Sequence, residues 1–429
     1  MAADYDVIVA GAGPAGLITA WKAAEKGLKV LLVEKKSNPA EAVRTTGNAF
    51  RNRSPINGEM VSVSKKDGAA VIHFHTSNFD VPYSGRLIDA YDRYSFSNSG
   101  YCMRTSRSAC PQQYFYDMSV LQEGLLNKAL GAGADILAGC LAVGAENEKN
   151  RVRLQIKRHG TQSVFSASRL IAADGLNSRL AECMGLNEQR PVMLRGPVLE
   201  MVYQGVEFPY PPGFAFILGS DMKGGDGFMF VYPHAAAENA CAVMVNCRFP
   251  AAKCLDRIKH FTTKSKFASW FAHARHIHST AAMVTVRPPM KKPVIGNVLF
   301  IGDAAAYGET LVAGAMFCGF HAADAVCREL AGDNGFEWYC DLWAANFDFV
   351  GNPQKQKDYT KILRLYGSLP DADLDFLFRL SQERGPIDMT GQEKGSNEYN
   401  GGNVMIDYFL GFSEVKGELR SRLQDMRNS

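Results

Sequence analysis

The residues best suited to chemistry in this chain form a glycine-rich turn, Gly11-Ala12-Gly13-Pro14-Ala15-Gly16. Three glycines at this spacing let the backbone turn tightly and approach a pyrophosphate closely. A helix that starts at the turn would also direct its N-terminal N–H groups at the phosphates. Further along, Glu34 is placed to accept hydrogen bonds from a ribose diol. The pattern predicts a site for an adenine dinucleotide, and it fits NAD and FAD equally well.

The segments around this turn are the ones such a site needs. Residues 5–10 (YDVIVA) predict a short buried strand, and an apolar-periodic helix follows through Trp21 and Ala24. A second strand is predicted over 29–33 (KVLLV), directly before Glu34. An ordinary glycine turn in an α/β domain is the alternative, but it does not account for the acid at the end of the second strand.

Two acidic turns further along the chain follow apolar strands in the same way. Residues 168–173 (SRLIAA) lead into Asp174-Gly175, and residues 298–301 (VLFI) lead into Gly302-Asp303, before a helix over about 313–330. A carboxylate at the end of a strand can accept hydrogen bonds from a polyhydroxyl chain. Taken alone, each aspartate is better explained as a turn or helix-capping residue. The three segments in this order favour the binding interpretation.

The order of these segments resembles that of the p-hydroxybenzoate hydroxylase superfamily of FAD enzymes. The resemblance covers most of residues 5–330 and implies FAD as the cofactor, with Asp303 near its ribityl chain and Asp174 near its pyrophosphate. It also implies that the helix after Asp303 points its N-terminus at the flavin ring, where it would stabilise negative charge. The expected fold class is α/β: a Rossmann-like FAD-binding domain with a parallel sheet, interleaved with an antiparallel-sheet substrate domain and followed by a C-terminal helical region.

The resemblance implies a set of cofactor-binding residues. Arg44 lies about ten residues beyond Glu34, where the superfamily often places a basic residue against FAD, although a solvated loop arginine is an equal alternative. Lys35 is expected to cover the adenine edge. The expected FAD contacts are Gly11, Gly13, Pro14, Ala15, Gly16, Glu34, Lys35, Arg44, Asp174, Gly175, Gly302, Asp303 and Gly314.

Within the superfamily, the chain is similar to the geranylgeranyl-reductase-like branch. That branch has an aromatic strand of the form YxWxFP, and the corresponding segment here is Phe228-Met229-Phe230-Val231-Tyr232-Pro233. Alternation in a strand places Phe228, Phe230 and Tyr232 on one face. That face is expected to bind an apolar substrate, and an ordinary sheet core is the alternative. Residues 117–136 also match the branch, as a helix followed by a strand.

The chain departs from the branch at several positions. Thr46 stands where branch members often carry a cysteine before a glycine, and Met118 stands where an FAD-contacting arginine is usual. The proline that commonly follows the Gly-Asp segment is replaced by residues 308–311 (GETL). The resemblance therefore predicts an FAD-dependent oxidoreductase without a flavin-facing thiol from the loop after Glu34.

The expected reaction passes hydride between flavin N5 and a C=C or similar bond of an apolar, isoprenoid-like substrate. Candidates for the proton donor are Tyr232, His234, Tyr307 and Glu309, chosen because they lie near the aromatic strand or the Gly-Asp loop. No second GxGxxG follows a strand, so electrons are expected from a transient NAD(P)H or from a protein or quinone carrier. A flavin-dependent monooxygenase or halogenase acting on an aromatic substrate, and a flavin electron carrier, are the alternatives.

Composition limits the other functions. A formal charge of +3 over 429 residues, without a long basic run, argues against nucleic-acid binding. No signal peptide and no run of eighteen apolar residues is recognised, so we expect a cytoplasmic protein, with peripheral membrane contact left open. The ten cysteines form no CxxC pair and predict no metal site. Cys102 and Cys110 lie close enough in sequence to be a redox pair, although the spacing alone sets no geometry.

The domains are expected to be interleaved. The FAD-binding domain is predicted over 1–60, 112–190 and 290–345, and the substrate domain over 61–111 and 191–289. Strands are predicted at 70–75, 198–206, 214–218, 228–232 and 240–248, with a helical segment at 261–274. Helices at 354–366 and 371–384, a polar loop at 391–403 and a terminal helix make up a C-terminal region over 346–429.

Overall fold

The structure is a computed structural model. It describes residues 3–45, 48–51, 56, 58–107, 110–218, 229–246, 251–306, 311–347, 350, 352, 367–388 and 401–428. The strands are β1 Tyr5–Ala10, β2 Val30–Glu34, β3 Ala49–Arg51, β4 Val61–Lys66, β5 Ala69–Phe74, β6 Phe79–Tyr83, β7 Ile88–Ala90, β8 Asp92–Phe96, β9 Cys102–Ser106, β10 Gln113–Phe115, β11 Asp135–Ala138, β12 Leu141–Asn147, β13 Val152–Arg158, β14 Thr161–Ala172, β15 Leu194–Gln204, β16 Gly213–Ile217, β17 Met229–Pro233, β18 Ala240–Asn246, β19 Arg275–Val286, β20 Val294–Ile295, β21 Val298–Phe300 and β22 Ile387–Asp388. The helices are α1 Pro14–Glu25, α2 Met118–Gly131, α3 Arg179–Cys183, α4 Ala252–Thr263, α5 Leu311–Ala331, α6 Gly335–Asn346, α7 Asp371–Arg384, α8 Gly401–Leu410 and α9 Gly417–Asn428.

The first eight-stranded sheet contains the parallel strands predicted from the sequence. Its main order is β11-β2-β1-β14-β13-β12, and β21 pairs with β14. The pairs of β1 with β2 and β14, of β2 with β11, and of β14 with β21 are all parallel. Strands β1 and β2 are buried nearly throughout, as the apolar runs YDVIVA and VLLV require of strands covered on both faces. The α/β fold class expected from the sequence is confirmed.

Two helices pack together against this sheet. Helix α1 contacts α5, and the Thr19 hydroxyl in α1 donates to the carbonyl of Gly319 in α5 at 3.1 Å. A Cβ on Gly319 would lie 2.3 Å from the carbonyl oxygen of Ala15, so glycine allows the two helices this close approach. Helix α5 is long and apolar enough to cross a bilayer, whereas the sequence predicted no spanning helix. Slightly more than half of its most apolar 18-residue stretch is buried inside the protein, as in a core helix.

The second eight-stranded sheet, which we call the substrate-side sheet, has the order β19-β15-β18-β17-β16-β8-β9-β22. The expectation of an antiparallel sheet was wrong for two of its pairs, because β16 pairs with β8 and β22 with β9 in parallel. Both parallel pairs join segments that are far apart in sequence, so no hairpin sets their direction. Strand β22 also brings residues from the C-terminal region onto this sheet.

Several predicted boundaries differ in the structure. The helical segment expected at 261–274 is two elements, α4 and a 3₁₀ turn at Ala268–Phe271, and α4 begins well before Phe261. Strand β15 begins at Leu194 rather than 198. Helix α7 was predicted correctly, whereas α8 begins inside the segment expected to be a polar loop. The helix predicted at 354–366 and most of that loop lie outside the described residues.

Candidate functional site

A cavity of about 760 Å³ lies where the two large sheets meet. One side is formed by the carboxyl ends of the parallel strands β1, β2, β14 and β21, together with the glycine-rich turn. The other side is formed by residues of β15, β17, β18 and β19 in the substrate-side sheet. A volume of this size is typical of sites for cofactors and drug-sized molecules. Ligands of open α/β sheets bind at this end of the strands.

The glycine-rich turn has the geometry that its sequence predicts. Gly11 has φ +111°, and a Cβ there would lie 2.3 Å from the carbonyl oxygen of Ala173. A Cβ on Gly16 would lie 1.9 Å from the carbonyl oxygen of Gly11. Gly13 differs, because a Cβ there would meet nothing within 4 Å. Gly11 and Gly16 therefore allow tight backbone packing, whereas Gly13 leaves space in front of the turn.

Glu34 holds the glycine-rich turn in place. Its Oε2 accepts a hydrogen bond from the Ala12 backbone N–H at 2.7 Å, and its Oε1 accepts one from the Lys36 backbone N–H at 2.9 Å. The Glu34 side chain is buried, and both Glu34 and Lys35 line the cavity. A carboxylate oxygen has two lone pairs, so these contacts leave room for further donors.

Arg44 and Asp303 meet across the cavity. Arg44 Nη2 donates to Asp303 Oδ2 at 2.8 Å, which links the loop after β2 to the Gly-Asp segment. Gly302 has φ +57°, and Leu311, Val312 and Ala315 near the N-terminus of α5 also line the cavity. The free N–H groups of a helix N-terminus carry partial positive charge. This part of the cavity thus offers hydrogen-bond donors beside a carboxylate.

Asp174 and Gly175 also line the cavity. Asp174 Oδ2 accepts a hydrogen bond from the backbone N–H of Leu180 at 3.2 Å. Its Oδ1 is buried and has no hydrogen-bond partner among the described residues. Burial raises the pKa of Asp174. Since buried polar atoms rarely stay unpaired, Oδ1 is suited to a group that a ligand brings.

The opposite wall of the cavity is mostly apolar. Val198, Phe230, Met244 and Val284 line it, from four strands of the substrate-side sheet, and Arg195 and Asn246 of the same sheet also belong to the lining. Their strands pair so that Phe230 lies opposite Met244, and Met244 lies opposite Glu200. The cavity therefore combines polar loops on one side with an apolar sheet face on the other.

These features fit FAD on grounds of chemistry. The close-packed glycine turn, the open space at Gly13, the buried acid Glu34 and the unpaired Oδ1 of Asp174 match the phosphate, ribose and polyhydroxyl parts of that molecule. The sequence model of the FAD binding domain family matches residues 4–307, which is most of the chain. The chain belongs to this FAD-binding family.

Comparison with known proteins agrees with this assignment. The flavoprotein is 23% identical to the digeranylgeranylglycerophospholipid reductase of Methanosphaerula palustris over 74% of each chain. A geranylgeranyl bacteriochlorophyll reductase-like protein of Thermoplasma acidophilum shares its fold, with TM-score 0.69, 18% identity and 98% and 99% of the two chains covered. The p-nitrophenol 4-monooxygenase of Pseudomonas putida shares it with TM-score 0.60 and 13% identity, covering 100% and 99%. The protein is an FAD-dependent oxidoreductase, and these likenesses agree with the geranylgeranyl-reductase-like branch that its sequence predicted.

Most of the predicted cofactor-binding residues of this flavoprotein lie around the cavity described above. Gly11, Gly13, Pro14, Ala15, Glu34, Lys35, Arg44, Asp174, Gly175, Gly302 and Asp303 line it. Gly16 and Gly314 do not belong to the lining. Gly16 packs against Gly11 instead, and Gly314 is buried within α5. Their contact with FAD stays a prediction.

Two predicted substrate-side residues of the flavoprotein differ in position. Phe230 lines the cavity and packs on Phe214, with ring centroids 5.3 Å apart. Tyr232 is fully buried beneath the lining, stacked between Phe115 and Phe214. Phe228, Tyr307, Glu309 and Thr46 lie outside the described residues.

Sequence reasoning missed Glu200, which lies next to Tyr232. The Tyr232 hydroxyl donates to Glu200 Oε2, and the Thr280 hydroxyl donates to Oε1 at 3.3 Å. Burial raises the pKa of Glu200 and that of Tyr232, and it lowers the pKa of His234 to about 4. An acid in the middle of the apolar segment LEMVY was the signal that could have revealed it.

The cysteine pair considered from the sequence is not bonded in the flavoprotein. Cys102 and Cys110 are both free. Cys102 is buried at the start of β9, where burial raises the pKa of its thiol to about 12. A thiol with so high a pKa holds little of the reactive thiolate. The geometry thus gives no support to a redox pair.

Proposed function

We propose that this oxidoreductase saturates carbon–carbon double bonds in the isoprenoid chains of a lipid. The observation that carries the proposal is the two-sided cavity, in which the cofactor loops face the apolar wall of Val198, Phe230, Met244 and Val284. An isoprenoid chain needs an apolar surface and no charged partner. The reductase named among the relatives acts on a lipid with geranylgeranyl chains, which supports the same substrate class.

Different residues of the chain would bind the cofactor and the substrate. The glycine-rich turn, Glu34, Arg44, Asp174 and Asp303 would hold FAD, with Asp303 on the ribityl chain. Reduced FAD, when bound, supplies a hydride. The apolar wall would exclude water and orient the chain of the substrate, since a cofactor carries the chemistry and the protein supplies position and dryness.

The test is an anaerobic reoxidation assay. Purified protein is loaded with FAD, reduced with dithionite, and mixed with a geranylgeranyl-chain lipid or with its saturated counterpart. We expect flavin absorbance to return only with the unsaturated lipid, and mass spectrometry to find two added hydrogens for each flavin reoxidised. Absence of reoxidation by any polyprenyl lipid would contradict the proposal.

A flavin-dependent monooxygenase or halogenase is the second candidate, since a structural neighbour is a monooxygenase. That reading predicts oxygen uptake dependent on an aromatic substrate and no anaerobic turnover. An electron carrier predicts reoxidation by a redox protein or quinone without any apolar substrate.

The electron donor and the location are also proposals. The electron donor would be a transient NAD(P)H or a protein or quinone carrier, because no second glycine-rich dinucleotide motif follows a strand. A lipid substrate favours a cytoplasmic protein in peripheral contact with a membrane. Flotation with vesicles of the lipid substrate, compared with vesicles lacking it, tests this location.

A further inference from the structure

The sheet face that forms the apolar wall continues into a polar cluster directly beneath it. Val198 and Glu200 are two residues apart in β15 and so lie on one face, as do Phe230 and Tyr232 in β17. Val198 and Phe230 line the cavity, whereas Glu200 and Tyr232 are buried. Glu200 therefore lies further inside the protein than Val198 and Phe230, the residues that would contact a substrate.

Hydroxyl groups connect this buried acid to the cavity. Glu200 pairs in register with Thr280 of β19, and the Thr280 hydroxyl lies 3.3 Å from Glu200 Oε1. The Thr45 hydroxyl lies 3.3 Å from the Thr280 hydroxyl. Thr45 lines the cavity and is adjacent in sequence to Arg44, which pairs with Asp303. Three side chains thus form a continuous path from the buried carboxyl to the site.

The contacts of Glu200 determine which of its oxygens carries a proton. The Tyr232 hydroxyl donates to Oε2, so Oε2 acts as an acceptor. In a protonated Glu200, the O–H is therefore on Oε1, and it donates to the Thr280 hydroxyl in the same contact in which that hydroxyl donates to the ionised acid. Hydroxyl groups rotate and both donate and accept, so Thr280 and Thr45 can each take one proton and release another.

We propose that Glu200 is the proton source of the reductase, acting through the hydroxyls of Thr280 and Thr45. This inference rests on the proposed function. Saturation of a C=C bond adds a hydride, supplied by reduced flavin, to one carbon and a proton to the other. The Oε1–H bond of Glu200 breaks, the proton moves along the two hydroxyls, and a C–H bond forms at the second carbon. The flavin loses two electrons, and Glu200 becomes a carboxylate.

Two histidines lie close to Glu200 and would return a proton to it. One ligand atom from each of Glu200, His234 and His278 lies within 4.8 Å of the others. His278 is partly exposed and would return a proton from solvent to Glu200. The titratable groups that face Glu200 are Tyr232 from β17, His278 from β19 and His234 after β17. Burial raises the pKa of Glu200, which is the direction that favours the protonated acid.

The same three side chains could instead ligate a metal ion. His234 argues against this, because its Nε2 lies 2.9 Å from Asn48 Nδ2 and its Nδ1 accepts from the Ala236 N–H at 3.2 Å. Both oxygens of Glu200 are also occupied by hydrogen bonds, Oε2 with Tyr232 and Oε1 with Thr280. A protonated acid and a metal ligand are distinguishable by metal analysis. One equivalent of bound metal that is lost in the His278→Gln variant would overturn the proposal.

The first experiment needs neither substrate nor flavin. Infrared spectra of wild-type protein and of Glu200→Gln at neutral pH should differ by the carbonyl band of a protonated carboxylic acid. The matched control is Glu207→Gln, since Glu207 is an exposed acid just beyond the same strand and should lose no such band. A wild-type protein without the Glu200 band would overturn the proposal, whatever the outcome for the proposed function.

The second experiment measures the proton step in the FAD-loaded protein. Glu200→Gln and Thr280→Val should each slow anaerobic reoxidation by polyprenyl lipid roughly 10²–10⁴-fold, with FAD retention unchanged. Thr280→Ser keeps a hydroxyl, so it should restore the wild-type reoxidation rate. It should also restore the wild-type solvent isotope effect, which is the ratio of the reoxidation rates in H2O and D2O. Reoxidation at the wild-type rate in Thr280→Val would overturn the relay. If wild type itself is not reoxidised while the infrared band is present, the proposed function fails and the protonated acid stands.

Discussion

Arg44 Nη2 donates to Asp303 Oδ2 at 2.8 Å, and this contact joins two loops that lie 259 residues apart. Both side chains are partly exposed to the cavity, with 37% and 29% of their surface accessible. An ion pair exposed to this extent adds little to stability. We therefore expect this ion pair to serve cofactor binding, because it orients the Asp303 carboxylate beside the first turn of α5.

The first prediction concerns Asp303. Asp303→Ala should raise the dissociation constant for FAD roughly 10- to 100-fold, because a hydrogen bond to a charged group contributes about 1.5–3 kcal/mol. Flavin fluorescence during titration of apoprotein measures the constant. The control is Asp324→Ala, which removes an acid that pairs with Lys26 at the C-terminal end of α1 and does not line the cavity. Equal affinity in the two variants would contradict the placement of the ribityl contact.

The second prediction separates two glycines of the same turn. Gly16→Ala should destabilise the apoprotein by about 1–3 kcal/mol, because its Cβ would clash with the Gly11 carbonyl oxygen. Gly13→Ala has space for its Cβ, so the apoprotein should keep its stability within about 1 kcal/mol. Urea unfolding of both apoproteins measures this.

The effect of the two substitutions on FAD affinity should differ from their effect on stability. The Cβ of Gly13→Ala would occupy the space in front of the turn that a pyrophosphate needs, so FAD affinity should fall at least 10-fold in a fully folded protein. If Gly13→Ala retained FAD as well as wild type does, the pyrophosphate would lie elsewhere.

The cofactor half of the fold could be predicted because its signals are local. Strands β1, β2 and β21 and the last residues of β14 are short apolar runs that end in a polar turn. The turn chemistry is readable at Gly11 and Asp174 without knowledge of distant contacts. Such strands are buried on both faces, so their pattern does not depend on which neighbour they pair with.

The substrate half could be predicted only in part, because its features depend on pairing between distant segments. Alternation placed Phe230 and Tyr232 on one face, yet only the tertiary structure separates the half-buried, cavity-lining Phe230 from the fully buried Tyr232. Glu200 finds its partners 32 and 80 residues away. Nothing near Glu200 in sequence indicates either partner, and the same holds for the parallel pair of β8 with β16.

The third prediction concerns the apolar wall. Phe230→Ala should raise the apparent KM for a polyprenyl lipid roughly 10- to 100-fold, because burying a side chain of this size is worth about 1.5–3 kcal/mol. FAD affinity should not change. Phe216→Ala is the matched control, since Phe216 packs on Phe230 but does not line the cavity. An equal rise in KM for the two variants would indicate a general packing defect instead of a substrate contact.

The fourth prediction is a loss of stability in mild acid. Burial lowers the pKa of His234 and of His321 to about 4, from an ordinary value of 6.5. Between pH 6.5 and 4 the unfolded chain therefore binds more protons than the folded one, so stability falls as the pH falls. Each histidine should reduce the free energy of unfolding by about 2 kcal/mol between pH 7 and 5. Urea unfolding of apoprotein at the two pH values measures this change.

The histidine origin of that change can be tested at His321, whose Nε2 lies 2.9 Å from the Ser77 hydroxyl. His321→Gln removes the titrating group, so the loss of stability between pH 7 and 5 should shrink by about 2 kcal/mol, whatever the absolute stability of the variant. His159→Asn is the control, because His159 is exposed and has φ +46°, a conformation that asparagine also adopts. An unchanged pH dependence in His321→Gln would contradict the lowered pKa, because it would mean that His321 binds protons equally in the folded and unfolded chain.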